Sequence, residues 1–471
     1  MDHEDSNRKM SRRAFLRASL TGTGAALLAA CGGTAATAPT AAPAAAPTAA
    51  APPAATAAPA ATAAPAATAA PATTAAATAA SAATAVPPTA TPLPLPEGSA
   101  GKLTVIHRTE YFEEPQKIFR STVEAFAKAK GAELDISTAN PEAFGDFTAK
   151  MQAAVQAGVP PDLGYHVLSI PQMHFLDIVE DVTDVVDEAI KKYGDVVPVT
   201  AKKNANIDGK WWAVPFRSES GGWFARKDIF EAAGIDVTTL ETLDQRREAA
   251  LKVSDASKEI WGWGLTINRS GDGHGLITIV IQNFGGRFVD ETGTKVTFKS
   301  PETVAAVTWL AETYTGDKYK SMLPPGIESW TDPSNNEAFL AGKIALTSNA
   351  YTVYGKAKKD KNPIFPNIYV LRTPMTNDGK QRLESGASGW LTIFKGAKNI
   401  DLAKQLVVDL LDPKNFMPMV QQGGGLFLPA YKNLWTDEVL NIDPNFPTLK
   451  EIMFNDTAYT GQAYPASPNP A

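Results

Sequence analysis

The chain after residue 100 predicts an α/β fold divided into two lobes. Short runs rich in β-branched residues alternate there with amphipathic helical stretches, and this order is typical of a parallel sheet covered by helices. The roughly 370 residues from Gly101 to Ala471 also exceed the ~250–300 at which one hydrophobic core usually divides. The alternation therefore predicts the fold class, and the length predicts the second lobe.

The individual elements begin in a βαβαβ order. A strand is predicted where β-branched and apolar residues run together, and a helix where apolar residues recur every three or four positions. We predict strands at 103–106, 134–137, 162–166, 344–347 and 368–371, and helices at 116–130, 147–157, 301–313 and 400–411.

The carboxyl ends of two predicted strands carry polar side chains. Arg108, Glu110 and Tyr111 follow the first strand, and His166 ends the third. Ligands of open α/β sheets bind beyond the carboxyl ends of the strands. We therefore expect a ligand site at this edge of the sheet, with Arg108 and Glu110 among its contacts.

The first 31 residues predict an export signal rather than a membrane-spanning helix. The paired Arg12 and Arg13 precede an uncharged run at 18–30, which is too short to cross a bilayer. Paired arginines indicate the twin-arginine export route. The run closes at Cys31, the only cysteine of the chain, and the segment resembles a bacterial lipoprotein signal whose cysteine is acylated. The alternative is a cysteine that follows an ordinary signal by chance.

Residues 32–100 predict a disordered tether. They are almost entirely Ala, Thr and Pro, and Pro53, Pro59, Pro65 and Pro71 recur at a regular spacing. Each proline breaks the helix that alanine would favour, and the segment has too little apolar surface to offset the entropy of ordering. It is either a spacer between a membrane anchor and the folded region or a neutral low-complexity expansion.

Composition argues against several function classes. The formal charge is −6, and removal of residues 1–31, with five basic and three acidic side chains, would make it −8. An acidic chain without a basic stripe argues against nucleic acid as a partner. His166 and His174 have no thiolates nearby, so we expect neither a metal site nor a cofactor. The catalytic patterns G-x-S-x-G and H-E-x-x-H and the P-loop are not complete in the chain, which favours a non-enzymatic protein.

Four stretches carry a family resemblance. They are DGKWWAVPF at 208–216, WFARKDIFEAAG at 223–234, EAFLAGKIAL at 337–346 and SGWLTIFKGAKN at 388–399. Their order and spacing resemble the family 1 extracellular solute-binding proteins, which are the receptors of ABC importers. The chain departs from the pattern of the maltose binders at 225–226 and at 349–352, which argues against maltose itself.

The resemblance implies a two-lobed periplasmic-binding-protein type II fold, the Venus flytrap. Lobe 1 would hold about 101–215 and 385–429, and lobe 2 about 216–384 and 430–471. A solute, expected to be a sugar or oligosaccharide, would bind between the lobes, and closure would trap it. The protein would be a monomer that delivers its solute to ABC permease subunits, held by its lipid at the outer face of the cell membrane.

Five more residues are candidates for solute contact in the implied cleft. Glu219 and Trp390 match a ligand carboxylate and a stacking aromatic of family members, and Tyr351 is a substitute for a tryptophan of the maltose binders. Trp223 follows two glycines, and Asp272 lies in a glycine-rich loop. Aromatic faces suit the C–H faces of sugars, and carboxylates suit their hydroxyls. The alternatives are a hinge-surface glutamate, loop residues and tryptophans packed in the cores.

Two other functions stay open at the level of the sequence. A lipid-anchored carbohydrate-active enzyme would need two opposed carboxylates across a cleft, of which Glu219 would be one. A stalked adhesive or scaffold protein would explain the tether but not the four family stretches.

Overall fold

The computed structural model describes residues 101–139, 144–290, 295–384 and 386–455. The predicted signal, Cys31 and the tether lie outside the described residues, as does the chain from residue 456 onward. Within the described ranges, no helix is both long enough and apolar enough to cross a membrane.

The predicted alternation of strands and helices is confirmed, with bounds that differ by at most three residues. The strands are β1 (Lys102–Arg108), β2 (Glu133–Ala139), β3 (Leu163–His166), β4 (Asn206–Ile207), β5 (Lys210–Trp211), β6 (Val214–Glu219), β7 (Gly221–Arg226), β8 (Trp261–Trp263), β9 (Ile344–Ala350), β10 (Ile368–Leu371), β11 (Ala387–Ile393) and β12 (Leu428–Pro429). The helices are α1 (Glu113–Lys130), α2 (Phe144–Gln156), α3 (Ile170–Phe175), α4 (Thr183–Tyr193), α5 (Val199–Ala205), α6 (Lys227–Ala232), α7 (Leu243–Val253), α8 (Gly271–Asn283), α9 (Pro301–Thr315), α10 (Asp332–Leu340), α11 (Thr352–Lys359), α12 (Ile400–Leu411), α13 (Pro413–Gln422), α14 (Asp437–Leu440) and α15 (Phe446–Met453).

The first lobe is built on a six-stranded sheet in the order β12-β6-β11-β3-β1-β2. β1 pairs in parallel with β2 and β3, as βαβ units require, while β11 runs antiparallel to β3 and β6. The core of this lobe is aromatic, since the Phe119 ring of α1 lies 5.3 Å from Tyr165 and 6.0 Å from Phe216. α1 ends at Gly131, whose φ of 65° is the left-handed conformation that favours glycine.

The second lobe is built on a four-stranded sheet in the order β10-β7-β9-β8. β7 runs antiparallel to both β9 and β10, whereas β8 pairs in parallel with β9. Its core contains Trp223, Trp263 and Trp309, with successive ring centroids 6.0 and 6.1 Å apart. The two sheets, each with its own core, confirm the predicted two-lobed α/β architecture.

The chain passes between the two sheets at three places. Ser220 alone separates β6 from β7, and Tyr351 alone separates β9 from α11. The third passage is the longer connection at 372–386 between β10 and β11. α11 lies against the first lobe, because Lys359 forms an ion pair with Glu114 of α1 at 2.5 Å.

The first lobe boundary differs from the expectation. Residues 216–219 belong to the first sheet, because Arg217 and Ser218 pair with both β11 and β12. The chain therefore leaves the first lobe after Glu219 and not after Pro215. A proline at 215 does not end the strand, which continues past a register shift at Phe216 through the pairing of residues 217–219.

The segment after residue 429 also differs from the expectation, because it packs with the first lobe and not the second. Tyr431 forms an isolated antiparallel bridge with Val196 of the first lobe. Further along, Asp443 forms an ion pair at 2.6 Å with Lys358 of α11, the helix that lies against the first lobe. Tyr431, Leu434 and Trp435 are accordingly part of the same hydrophobic core as Leu103 of β1.

Candidate functional site

One edge of the first sheet faces all three passages between the lobes. β1 and β3 are parallel, and β6 runs in the same direction, since both β3 and β6 are antiparallel to β11. Their carboxyl ends therefore lie at the same edge, where the chain leaves for the second lobe. This edge carries Arg108 and Glu110, which the sequence predicts for a ligand site of an α/β sheet, and also Glu219, the candidate from the family resemblance.

Five side chains at this edge form a connected group, the ionic cluster: Arg108, Glu110, Tyr165, Arg217 and Glu219. The fully buried Arg217 donates from Nε to the Tyr165 hydroxyl and from Nη1 to Glu219 Oε2, both at 2.6 Å. The Tyr165 hydroxyl donates to Glu110 Oε1 at 2.7 Å, and Arg108 Nε lies 3.3 Å from the same oxygen. Each buried charge thus has a partner of opposite charge or a hydrogen bond, which is the condition for keeping ions inside a protein.

The ionic cluster holds the Glu219 carboxylate in the charged form. Burial would raise the pKa of Glu219, but the charges of Arg217 and Arg108 outweigh it and hold that pKa below its usual range. Burial would likewise lower the pKa of Arg217, and the nearby Glu219, Tyr165 and Glu110 raise it instead. Glu219 keeps about a fifth of its side chain exposed. It therefore presents an ionised, oriented acceptor at the first passage between the lobes.

A second group comes from three elements of the second lobe and from the start of α11, just after the second passage. This amide cluster contains Asp272 of α8, Asn335 and Asn336 of α10, Asn349 of β9 and Thr352 of α11. Asp272 Oδ2 accepts hydrogen bonds from Asn335 Nδ2 at 2.9 Å and from Asn349 Nδ2 at 3.0 Å. Thr352 Oγ1 donates to Asn349 Oδ1 at 2.9 Å.

The charge of Asp272 is not fixed by a cation. Burial raises its pKa to about 7, the amide of Asn335 opposes this rise, and the negative charge of Asp332 adds to it. Asp332 itself accepts the backbone N–H of Asp272 at 2.9 Å. The carboxyl group is therefore poised to change its charge near neutral pH, unlike that of Glu219.

Tyr111 follows β1 at the same edge of the first sheet. Its side chain is two-fifths exposed, and its ring lies edge-on to Phe112 with centroids 5.1 Å apart. Burial raises the pKa of Tyr111, while the nearby side-chain amide of Asn336 opposes this rise. An exposed aromatic ring of the first lobe therefore lies near an amide of the second.

The two candidate tryptophans lie in the cores of the lobes. Trp390 is almost fully buried in β11, between the strands that carry His166 and Pro215. Trp223 is also buried, with the Arg246 guanidinium 4.7 Å from its ring. The burial of both side chains agrees with core packing, which was the alternative, and not with the expected stacking on a sugar. Both strands are central in their sheets, so their side chains are covered on both faces.

Tyr351 lies at the second passage and lines a separate cavity of about 210 Å³ between α11 and the end of α13. Its ring is buried edge-on against Phe224, with centroids 5.5 Å apart. Members of the ionic cluster are not among the residues that line this cavity. The lining residues are Phe112, Tyr351, Tyr354, Gly355, Lys358, Lys359, Gln421, Gln422, Gly424, Ile442, Asp443 and Phe446.

The three asparagines of the amide cluster are the site residues that sequence reasoning missed. Asn335 and Asn336 stand directly before the third family stretch, and Asn349 follows that stretch. The signal in the sequence was the adjacent pair of asparagines in a short helix. Buried amides require polar partners, so such a pair predicts a polar cluster around it. In the parts of the chain that the structure describes, no three His, Cys, Asp or Glu side chains group as metal ligands would.

The chain matches a family model over most of its folded part. The model describes bacterial extracellular solute-binding proteins, and it matches residues 121–448, more than half of the chain. The protein belongs to the bacterial extracellular solute-binding protein family. The resemblance of the four sequence stretches to extracellular solute-binding proteins is thereby confirmed.

Individual relatives are distant but consistent with this family. The mannitol-binding protein of Pseudomonas aeruginosa is 25% identical over 281 residues, which cover 55% of this chain and 62% of that protein. The chain therefore spans about three-fifths of the length of this curated relative.

Solved structures share the fold. A solute-binding protein of an ABC transporter from Agrobacterium radiobacter, in complex with ribitol, superposes with a TM-score of 0.65 at 19% identity, covering 79% of this chain and 90% of that one. Maltose-bound MalE3 of T. maritima superposes with a TM-score of 0.63 at 22% identity, covering 74% of this chain and 87% of that one. At these identities the similarity establishes the two-lobed fold.

Proposed function

We propose that the protein is the solute-binding component of an ABC importer and that it captures an uncharged, polyhydroxylated solute, a sugar or polyol, between its two lobes. The observation that carries this proposal is the carboxyl edge of the first sheet, where Arg108, Glu110 and Glu219 belong to one connected cluster beside the first passage between the lobes. The mannitol, ribitol and maltose in the names of its relatives support the same class of solute.

The clusters suit hydroxyl groups in complementary ways. The ionised Glu219 accepts hydrogen bonds from hydroxyls, and charged acceptors make the stronger bonds. Arg108 supplies donors beside it, while Glu110 orients Arg108 and Tyr165. Two cations and two carboxylates balance each other in the ionic cluster, which favours a solute without net charge.

The second lobe completes the site when the lobes close. Asp272 keeps one carboxylate oxygen for the solute, because the amides of Asn335 and Asn349 both bond to the other. The exposed ring of Tyr111 offers a face for the C–H groups of the solute. A solute that contacts both lobes binds the closed state better and shifts the population toward it.

We further propose that Cys31 is the acylated first residue of the mature protein and that residues 32–100 are the spacer above the membrane. A captured solute has to reach permease subunits in that membrane, and an anchor keeps the receptor near them. Mass spectrometry of the mature protein tests the anchor: a lipidated N-terminal Cys31 is expected, and an unmodified or missing Cys31 would overturn it.

A titration tests the binding function. Tryptophan fluorescence and calorimetry of the purified protein with mannitol, ribitol, maltose and glucose should give saturable binding of at least one solute near micromolar Kd, roughly −8 kcal/mol. Glu219→Gln should weaken that binding at least tenfold, while Glu231→Gln, an exposed glutamate of α6, should leave it unchanged. No binding by a wider panel of sugars and polyols, or turnover of a bound glycan, would contradict the proposal.

A further inference from the structure

The cavity of about 210 Å³ beside Tyr351 is separate from both clusters of the junction. None of the described residues that line it belongs to the ionic cluster or to the amide cluster. Its walls are Phe112 at the start of α1, one side of α11, the end of α13 and the segment at 442–446. Since α11 lies against the first lobe, these walls belong to that lobe or to the second passage itself. The second sheet supplies none of the described walls, so the cavity does not depend on closure of the lobes.

Four aromatic side chains line the cavity, and all four are buried. They are Phe112, Tyr351, Tyr354 and Phe446. The rings of Tyr351 and Tyr354 meet edge to face, with centroids 6.0 Å apart and planes at 68° to each other. Aromatic rings pack well against the C–H face of a ring-shaped ligand. The apolar part of the cavity therefore favours a ring over an extended chain, because a flexible chain must first be ordered.

Two glycines bring α11 and the loop after α13 into backbone contact beside this space. A Cβ on Gly355 would lie 2.7 Å from the Gly424 carbonyl oxygen and 3.0 Å from the Phe112 ring. A Cβ on Gly424, whose φ is 56°, would lie 2.9 Å from the same ring. Side chains at these two positions would push the Phe112 wall aside, so the shape of the cavity requires glycine at both.

The charges that border the cavity are paired within the protein. Lys358 Nζ donates to Asp443 Oδ2 at 2.6 Å, and Asp443 Oδ1 accepts the Asn445 N–H at 3.0 Å. Lys359 forms its ion pair with Glu114 at 2.5 Å. Each lysine thus has one carboxylate as its partner, and no net charge is left for a ligand to neutralise. A charged ligand would lose its hydration without gaining a counter-ion, so the lining favours an uncharged one.

Hydrogen-bonding groups lie where the cavity meets solvent. Gln421 and Gln422 end α13, are exposed and line the same space. Each amide can donate and accept hydrogen bonds, which matches the dual character of a hydroxyl group. An apolar cavity of about 150 Å³ admits benzene. The larger space here, about 210 Å³, has room for one six-membered ring that carries hydroxyl groups.

We propose that this cavity is a second small-molecule site, which takes one uncharged, hydroxylated ring of the size of a pyranose or an inositol. The ring packs against the four aromatic side chains, and its hydroxyls bond to the amides of Gln421 and Gln422. The site goes beyond the proposed capture of a solute at the junction, because it shares no described residue with the two clusters there. Binding at either site therefore does not require binding at the other.

The experiment uses Glu219→Gln protein, in which the junction site is weakened, so that binding at the cavity is observed by itself. Calorimetry and saturation-transfer NMR with myo-inositol and glucose should show saturable binding of at least one of these rings. Mannitol, a linear polyol, should bind at least about fivefold more weakly than that ring, because it has no preformed face for the aromatic walls.

Three further substitutions in the same background locate the binding. Gln422→Trp adds a bulky side chain at the exposed mouth of the cavity and should weaken ring binding at least about tenfold. Tyr354→Leu removes one aromatic wall, keeps an apolar residue and should weaken it about fivefold. The control is Gln405→Trp, at an exposed glutamine of α12 that bonds to Lys130, and it should leave ring binding unchanged. Circular dichroism and urea denaturation establish that each variant is folded.

Three results would overturn the inference: no saturable binding of either ring, binding of mannitol as tight as that of the ring, or unaltered ring binding in both Gln422→Trp and Tyr354→Leu. The proposed function is judged separately, by the loss of solute binding from wild type to Glu219→Gln. A protein that fails that test and still binds a ring in the cavity would keep this inference and lose the proposed function.

Discussion

In the first lobe the junction is lined by four charged side chains around a tyrosine hydroxyl, whereas in the second lobe it is lined by three asparagines and one carboxyl group. The first arrangement fixes its charges, because Arg217 and Arg108 hold Glu219 ionised well below neutral pH. The second leaves the charge of Asp272 adjustable, because amides stabilise a carboxylate less than a cation does. The comparison teaches that a binding junction can combine a pH-independent half with a pH-sensitive half.

The largest expected effect tests the first half. Arg217→Met should lower the free energy of unfolding by about 3–5 kcal/mol, because it leaves Glu219, Tyr165 and the Leu426 carbonyl without their donor in a buried place. Urea denaturation measures this loss. The control is Lys117→Met, which breaks an exposed pair with Glu113 and should cost ~0–1 kcal/mol. Equal losses of unfolding free energy in the two variants would mean that the ionic cluster stabilises the fold no more than an exposed ion pair does.

The next effect tests the second half. The pKa of Asp272, raised in the folded state to about 7, lies above its unfolded value, so the folded state binds the extra proton and its stability falls as pH rises from about 4 to 7. Asp272→Asn lacks this titration. Between pH 5 and pH 7.5 the variant should therefore gain ~3 kcal/mol of unfolding free energy relative to wild type. If the difference in unfolding free energy between the two proteins does not change with pH, the pKa of Asp272 is not raised in the folded state.

A third effect has the opposite sign and belongs to the first lobe. Burial lowers the pKa of His166 to about 3. Its Nδ1 accepts the Leu168 N–H at 3.1 Å, so the neutral ring donates from Nε2 to Thr392 Oγ1. The unfolded state takes up a proton below about pH 6.5, so this contribution to stability is lost as pH falls. Relative to His166→Gln, the wild-type protein should lose ~2 kcal/mol of unfolding free energy when the pH falls from 7 to 5. Chemical denaturation of both proteins at both pH values measures this loss. A wild-type protein that gains stability over this range relative to the variant would contradict the lowered pKa.

The smallest effect tests the contact between the halves. Tyr111→Phe removes a hydroxyl at the junction and keeps the partly exposed ring, so solute binding should weaken by ~1 kcal/mol, about fivefold. The unfolding free energy should stay within ~0.5 kcal/mol of wild type, since the residue is partly exposed. Calorimetry with the same solute panel measures the change. An unaltered Kd together with unaltered stability would remove Tyr111 from the binding site.

The sequence predicted one half of the site better than the other. The rule that strand ends converge at one edge placed Arg108 and Glu110 at that edge, and the family resemblance supplied Glu219. Trp390 and Trp223 were expected in the cleft with core packing as the alternative, and they are buried. An aromatic residue in a strand has the same local pattern in both places, so sequence spacing could not separate them.

Local sequence patterns by themselves determined the alternation of strands and helices, the family and the two-lobed architecture, because backbone geometry imposes its period on the placement of apolar residues. Only the tertiary structure decided which polar groups meet. Asn349 and Asp272 are 77 positions apart, and Arg217 and Leu426 are 209 apart. Such contacts depend on the order of strands in a sheet and on the paths between the lobes, and the period of one element does not encode them.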